Sequence, residues 1–414
     1  MLEPAETEFS KKTNSKILSI LMFIIVFVSM GQSVYWQTMP ILGRELGFSE
    51  VQINSLISIS AAMFIIFTPF WGRLSDRIGR KSVLIMGLSG YVISSLIFCV
   101  LVACGLLNIF SGWVLLGSLL LARIINSALG AASRPATGAY VADITSNEDR
   151  SSGMGKFGAA NNIGTIAGPV LVGSAIGLNI FQLDIENIGL ISPLLIMSFI
   201  MVLAIVFALT SLPNKETKIS LDKPSIRPVL DRQLKILIAI GIIIFTAFAI
   251  VQSVVAYYLQ DRFLLDLNQT ARSTALSLGG MALMSILVQL TVVQKYKGPP
   301  LNLITLSIPF FLLSAIVVIF SSNFITFIIG MGLMGLAMGL ASPGYTAAAS
   351  LNANSENQGA AVGLAMIAPG VGFALGPLLS GFLYQADIIL PFKIIIPLSF
   401  IALFLIIFLK WRTL

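Results

Sequence analysis

Long stretches without a charged residue constrain this chain more than anything else in it. Residues 17–43, 51–72, 157–183, 187–214, 236–260, 273–294 and 357–386 contain no Asp, Glu, Lys or Arg, and each reaches the roughly 20 residues that a helix needs to cross a bilayer. The run 82–122 holds one helix, a turn and the start of a second, 298–355 holds two more, and 394–409 completes a last one if Lys393 snorkels to the interface. The sum is twelve spans. With 57% hydrophobic and only 10% charged residues, the bulk of the chain belongs in lipid, since a soluble domain carries about 25% charged residues.

The fifth span contains a second ordering feature. GKFGAANNIGTIAGPVLVG runs from Gly155 to Gly173, and GLAMIAPGVGFALGPLLSG runs from Gly363. Gly155, Gly164, Gly168, Pro169 and Gly173 return 208 positions later as Gly363, Gly372, Gly376, Pro377 and Gly381, and the same offset carries Glu148 onto Glu356 and Pro135 onto Pro343. Two related halves are the simplest account. The expected fold class is an all-α membrane protein of twelve transmembrane helices in two pseudo-symmetric six-helix bundles. Residues 1–210 form the first bundle, 211–235 a cytoplasmic linker with its prolines and basic residues, and 236–414 the second.

Charge sets orientation. With both termini cytoplasmic, inside segments hold twenty of the 25 basic residues and outside loops hold Arg44, Arg262, Arg272 and Lys393, leaving Arg123 inside the membrane. The net charge of +7 is thereby spread over short turns and offers no continuous groove to nucleic acid. The first apolar run is longer than a signal-peptide core and is retained as a span. Cys99 and Cys104 point to different faces of one helix and cannot pair. The chain has no histidine, no CxxC and no phosphate-binding GxxxxGK[ST], so no enzyme, metal, cofactor or ATP-driven pump is expected.

Polar residues within spans are the candidate site. Gln32, Tyr35 and Trp36 share one face of the first span at i, i+3, i+4 spacing, suited either to a watery cavity or to interhelical hydrogen bonds. In the fourth, Arg123 lies midway across the membrane, where an arginine costs about 2.5–3.5 kcal/mol on insertion scales. Asn126, Ser127, Gly130 and Arg134 share its face, because eleven residues return to within about 20°. Gln252 and Tyr257 near the end of the seventh span serve ligand contact or an interfacial aromatic belt.

The loop after the second span reads GRLSDRIGRK, with Gly72, Asp76, Arg77, Gly79, Arg80 and Lys81. With the glycine pattern of the fifth span, it resembles the major facilitator superfamily, and in particular its twelve-helix drug/proton antiporters; Val172 stands where that pattern has a glycine. GAYVADITSNEDR, from Gly138 to Arg150, is similar to the matching stretch of tetracycline-type efflux pumps. The resemblance implies a cytoplasmic gate of Gly72, Asp76, Arg77, Gly79, Arg80, Lys81, Asp143 and Arg150, in which Asp76 faces the start of the eleventh helix and Arg77 pairs with Asp143. The glycine registers let a backbone approach its neighbour closely, and with the 208-residue repetition Gly155, Gly164, Gly168, Pro169 and Gly173 are expected to face the second half, and Gly372, Gly376 and Pro377 the first, ordinary small-residue packing being the alternative.

The expected function is a secondary transporter working by alternating access, exporting a small organic solute. Arg123 and the absence of acids in 17–43, 236–260 and 323–355 favour an anionic, carboxylate-bearing solute such as a metallophore or acidic metabolite. Lipophilic drugs exchanged for protons are the alternative, and a transport-inactive receptor or scaffold is the reading from another class. The expected partners are the lipid bilayer, the small-molecule substrate, and protons or the membrane potential as driving force, an inside-negative 100 mV favouring exit of an anion by about 2.3 kcal/mol per charge. A monomer in the bacterial inner (plasma) membrane is expected.

Overall fold

Lipid offers the backbone no hydrogen-bond partner, so a chain of this composition satisfies its amides within helices. The structure, a computed structural model, describes residues 4–145, 150–176, 178, 187–213, 232–351 and 367–413. Its helices are α1 (Pro4–Glu45), α2 (Glu50–Ile78), α3 (Arg80–Leu106), α4 (Gly112–Gly130), α5 (Ser133–Ile144), α6 (Arg150–Ala175), α7 (Ser192–Ser211), α8 (Arg232–Phe263), α9 (Leu267–Thr291), α10 (Pro300–Ile319), α11 (Phe324–Leu351), α12 (Ile367–Ala386), α13 (Leu390–Lys393) and α14 (Ile395–Thr413). No strand occurs among the described residues.

Eleven spans among the described residues are long and apolar enough to cross a membrane, with α4 and α5 forming one and α13 and α14 another. The twelfth is α6, 26 residues long, whose glycines, Asn161, Asn162 and Lys156 dilute its hydropathy. The twelve-helix fold in two bundles is therefore the fold of this chain. Between α4 and α5 a two-residue turn interrupts the fourth span, because Pro135 has no N–H to return to the carbonyl of Ala131. Arg134, the second residue of α5, stands over the Phe64 ring, 5.8 Å from its centroid.

The chain divides into two compact units, residues 1–38 with 63–221, and residues 39–62 with 222–414. Each repeats the other's packing. In the first, α3 packs on α4 and α7; in the second, α10 packs on α11 and α14. These are the third span on the fourth and sixth of each set. The core of the second unit is aromatic at its centre, with Tyr258 stacked on Phe327 at 5.3 Å and edge-on to Phe392 at 4.9 Å.

Four of the paired glycines make close approaches to a neighbouring helix. A Cβ on Gly164 would collide with the carbonyl oxygen of Val26, and one on Gly168 would stand 2.5 Å from Ser33 Cβ, both on α1. Ser29 and Ser33 of α1 reinforce the contact, through Ser29 Oγ to Asn161 Oδ1 at 2.8 Å and Ser33 Oγ to the Thr165 carbonyl at 2.9 Å. In the second unit Gly372 meets Phe245 and Gly376 meets Ala249, both on α8. Gly164 and Gly168 thus join the fifth span to the first, and Gly372 and Gly376 the eleventh to the seventh. Small residues are needed where two backbones approach closely. Pro169 and Pro377 lie inside α6 and α12, Gly173 is half-buried, and Gly363, Glu148 and Glu356 lie outside the described residues.

Gly164→Ala and Gly376→Ala should each lower the apparent melting temperature of the detergent-solubilised protein, with overpacking costs of about 1–3 kcal/mol. Gly155→Ala, whose new Cβ would meet nothing within 4 Å, should leave it unchanged or slightly raised, alanine being the better helix former.

Candidate functional site

In the first unit, α1, α3 and α4 enclose Arg123. Its side chain is 3% exposed, its Nη1 donates to Asn126 Oδ1 at 2.9 Å, and its guanidinium lies 4.0 Å from the centroid of the Tyr35 ring. Asn126 Nδ2 donates to Ser94 Oγ at 2.9 Å, while Tyr35 meets Tyr91 and Phe98 edge-on at 5.8 and 5.6 Å. An aromatic face and an amide carbonyl stabilise a cation without supplying a counter-charge. Among the described residues Arg123 forms no ion pair. The structure therefore brings Tyr35, Arg123 and Asn126 together in the interior of the unit. Gln32 and Trp36, on the same face of α1, stay half-buried.

At the other end of α2 the chain reverses at Gly79, whose φ of +98° favours glycine. Arg80, the first residue of α3, donates from Nε to Asp143 Oδ2 at 3.0 Å and from Nη1 to Ser75 Oγ at 2.7 Å, and it pairs with the Asp76 carboxylate. Arg77, expected to hold Asp143, is exposed. It belongs to α2, before the reversal, whereas Arg80 follows it and turns back toward α5. Lys81 Nζ donates to the carbonyls of Leu209 and Leu212 at 2.9 and 2.6 Å, a cation at the negative end of α7. Gly72 has open space where a Cβ would stand. Of Arg150 only its backbone at the start of α6 is described, and the segment before α12 that Asp76 was expected to face, 352–366, lies outside the described residues.

In the second unit Gln252 is half-buried, but Tyr257 is buried beneath a group that sequence reasoning did not assemble. Arg44 lies 4.8 Å above the Tyr257 ring. It donates to both oxygens of Asp261, at 2.6 and 2.7 Å, to Glu50 Oε1 at 2.7 Å and to Gln260 Oε1 at 3.0 Å. Tyr384 Oη donates to Asp261 Oδ2 at 2.6 Å. One signal was available, because Arg44 is among the four basic residues that the charge rule leaves outside. Two others of that set are also tied down, Lys393 to Asp387 at 3.1 Å and Arg262 to the Ser321 carbonyl at 3.4 Å. The Asp387 carboxyl, in the turn between α12 and α13, is held below the usual carboxylate range by the Ile389 N–H and by Lys393. No cluster of three His, Cys, Asp or Glu side chains able to hold a metal occurs among the described residues.

The profile of the Major Facilitator Superfamily matches residues 21–308 and 295–414, and the chain belongs to that family. It is therefore a membrane transporter by family and fold. Multidrug resistance protein 2 of Bacillus subtilis (strain 168) is 27% identical over 390 residues, covering 91% of each chain. The class E tetracycline resistance protein of Escherichia coli is 34% identical over 160 residues, 38% of this chain and 36% of its own length. The crystal structure of the nucleoside transporter NupG superposes with a TM-score of 0.73 over 95% of this chain and 99% of its own, at 14% identity, a likeness of fold alone.

The Arg80–Asp143 assignment is checked by double-mutant cycles on thermal stability. Arg80→Ala and Asp143→Ala should be non-additive, with a coupling of about 0.2–1 kcal/mol as for partly exposed ion pairs, while Arg77→Ala and Asp143→Ala should simply add.

Proposed function

We propose that this transporter exports small amphipathic aromatic molecules, uncharged or carrying a single positive charge, by alternating access. The observation that carries this reading is the enclosure of Arg123. With the guanidinium covered by Tyr35 and bonded to Asn126, Arg123 presents no bare charge to an anion, and the same face of α1 carries an indole and an amide, Trp36 and Gln32, each half-buried. Such groups take flat apolar ligands with a polar edge. The printed names of the two relatives, multidrug and tetracycline resistance, support the same class. The Asp76, Arg80 and Asp143 cluster acts on the cytoplasmic gate and makes no contact with substrate, both termini being cytoplasmic and the membrane the bacterial inner membrane.

Export of an organic anion is the second reading. It is favoured by one observation, that no carboxylate answers the Arg123 charge among the described residues. Energy would then come from the membrane potential, and in the first reading from protons.

Transport in everted vesicles separates the two. Ethidium should accumulate, and Trp36→Ala should weaken its apparent affinity about two- to tenfold, the loss of ~0.5–1.5 kcal/mol of aromatic contact. If carboxyfluorescein is carried instead, and Arg123→Gln abolishes that transport with normal insertion, the anion reading holds. A potassium diffusion potential and a pH gradient, imposed separately on proteoliposomes, identify the driving force: ethidium export should follow the pH gradient, anion export the potential.

A further inference from the structure

Two arginines lie at bilayer depth in the span that α4 and α5 form, and only one of them is answered. The span runs from Gly112 to Ile144, which puts its midpoint at Ala128. Arg123 stands five residues before that point and Arg134 six residues after it, about 8 and 9 Å along the axis at 1.5 Å per residue. Both offsets fall inside the ~15 Å half-thickness of the hydrocarbon. Arg123 has Asn126 and the Tyr35 ring. Arg134 has the ring of Phe64 on α2, with 5.8 Å to its centroid, near the outer limit of a cation–π contact.

That ring also fixes the depth of the guanidinium. Phe64 is the middle residue of α2, 14 residues from Glu50 and 14 from Ile78, so Arg134 has not snorkelled to the membrane surface. No hydrogen bond or ion pair holds its side chain among the described residues. Its Nε is sealed from solvent without a partner, while the residue as a whole is half-buried. The acids of the two helices that meet there are already engaged, Asp76 and Asp143 by Arg80, and Glu50 by Arg44. A charge at such depth faces the bundle interior or a watery cavity and calls for a partner, and these helices have no acid left to supply one.

We propose that Arg134 is a second recognition position for the transported solute, one that takes a carboxylate carried beside the aromatic body, so that the uncharged molecules exported include zwitterions. This rests on the export of amphipathic aromatic molecules proposed above. A guanidinium presents Nε and one Nη as a two-pronged edge that matches a carboxylate, and Phe64 offers a surface to the adjoining ring. Arg134 also lies close to the face of α1 that carries Trp36 and Gln32. A Cβ on Gly130, four residues before Arg134, would stand 3.6 Å from the Gln32 amide nitrogen. A lipid phosphate does not serve, because headgroups lie outside the hydrocarbon and the Phe64 ring holds the guanidinium at mid-helix depth.

The test compares two dyes of nearly the same shape, rhodamine B, a zwitterion, and its ethyl ester, a cation, by fluorescence anisotropy on the full chain in nanodiscs. Arg134→Gln should weaken rhodamine B at least about fivefold, the loss of a charge-assisted fork, and should leave the ester unchanged or bound more tightly. Arg134→Lys, which keeps the charge and loses the fork, should fall between for rhodamine B. Arg134→Met repeats the removal if Arg134→Gln does not fold. Rhodamine B that fails to bind, that is unaffected by the removal, or that weakens in step with the ester would overturn the proposal, and binding of the ester would leave the export of aromatic cations standing. If neither dye binds the original protein, the proposal and the function it rests on fall together.

Discussion

The structure depends on the fact that lipid neither accepts hydrogen bonds from an amide nor drives helices together by excluding water. The first half of that constraint makes every long apolar segment helical. The second leaves helix association to close packing and polar contacts, for which small residues are the means. The glycines at Gly164, Gly168, Gly372 and Gly376 therefore serve as the seams of each bundle, bringing α6 against α1 and α12 against α8. Serine hydroxyls sit beside the first seam, adding hydrogen bonds where the backbones are nearest. Repetition of that seam in both units is the physical content of the duplicated sequence.

Charges are handled in three ways according to depth. Arg123, deep in its unit, is wrapped by an aromatic face and an amide, which lowers the penalty of burial without adding a second charge to be buried. Arg44, at a helix tip, is paired with carboxylates and left partly open to water. Arg80 and Lys81, at the opposite end of α2, bind a neighbouring acid and the carbonyl end of α7.

Much of the fold was legible because it rests on periodic and compositional features. Spans follow from apolar length, the duplication from Gly and Pro spacing, and the gate loop from a dense local motif. The candidate site was legible only as a set of residues. Arg123, Tyr35 and Asn126 were named and do meet, yet which face of α1 would be sealed and which left accessible depended on how α3 and α4 pack. Asp143 pairs with Arg80 and not with the expected Arg77, because three residues of chain span a reversal at Gly79 that changes the direction of everything after it. A small-residue stripe carries no label saying which neighbour it meets, so the contacts of Gly164 with Val26 and Gly376 with Ala249 were not readable from the sequence.

By itself the sequence determined where the chain crosses the membrane, that it is doubled, and that a positive charge lies within a span, all of them properties of local composition and regular spacing that lipid converts directly into helices. Only the tertiary structure decided which side chains face each other: Arg80 with Asp143, Gly164 with Val26, and Arg44 with an aspartate 217 positions away. Such pairings are fixed by the rotation and approach of whole helices, and no window of sequence contains that information, since residues hundreds of positions apart come together only after every span has been packed.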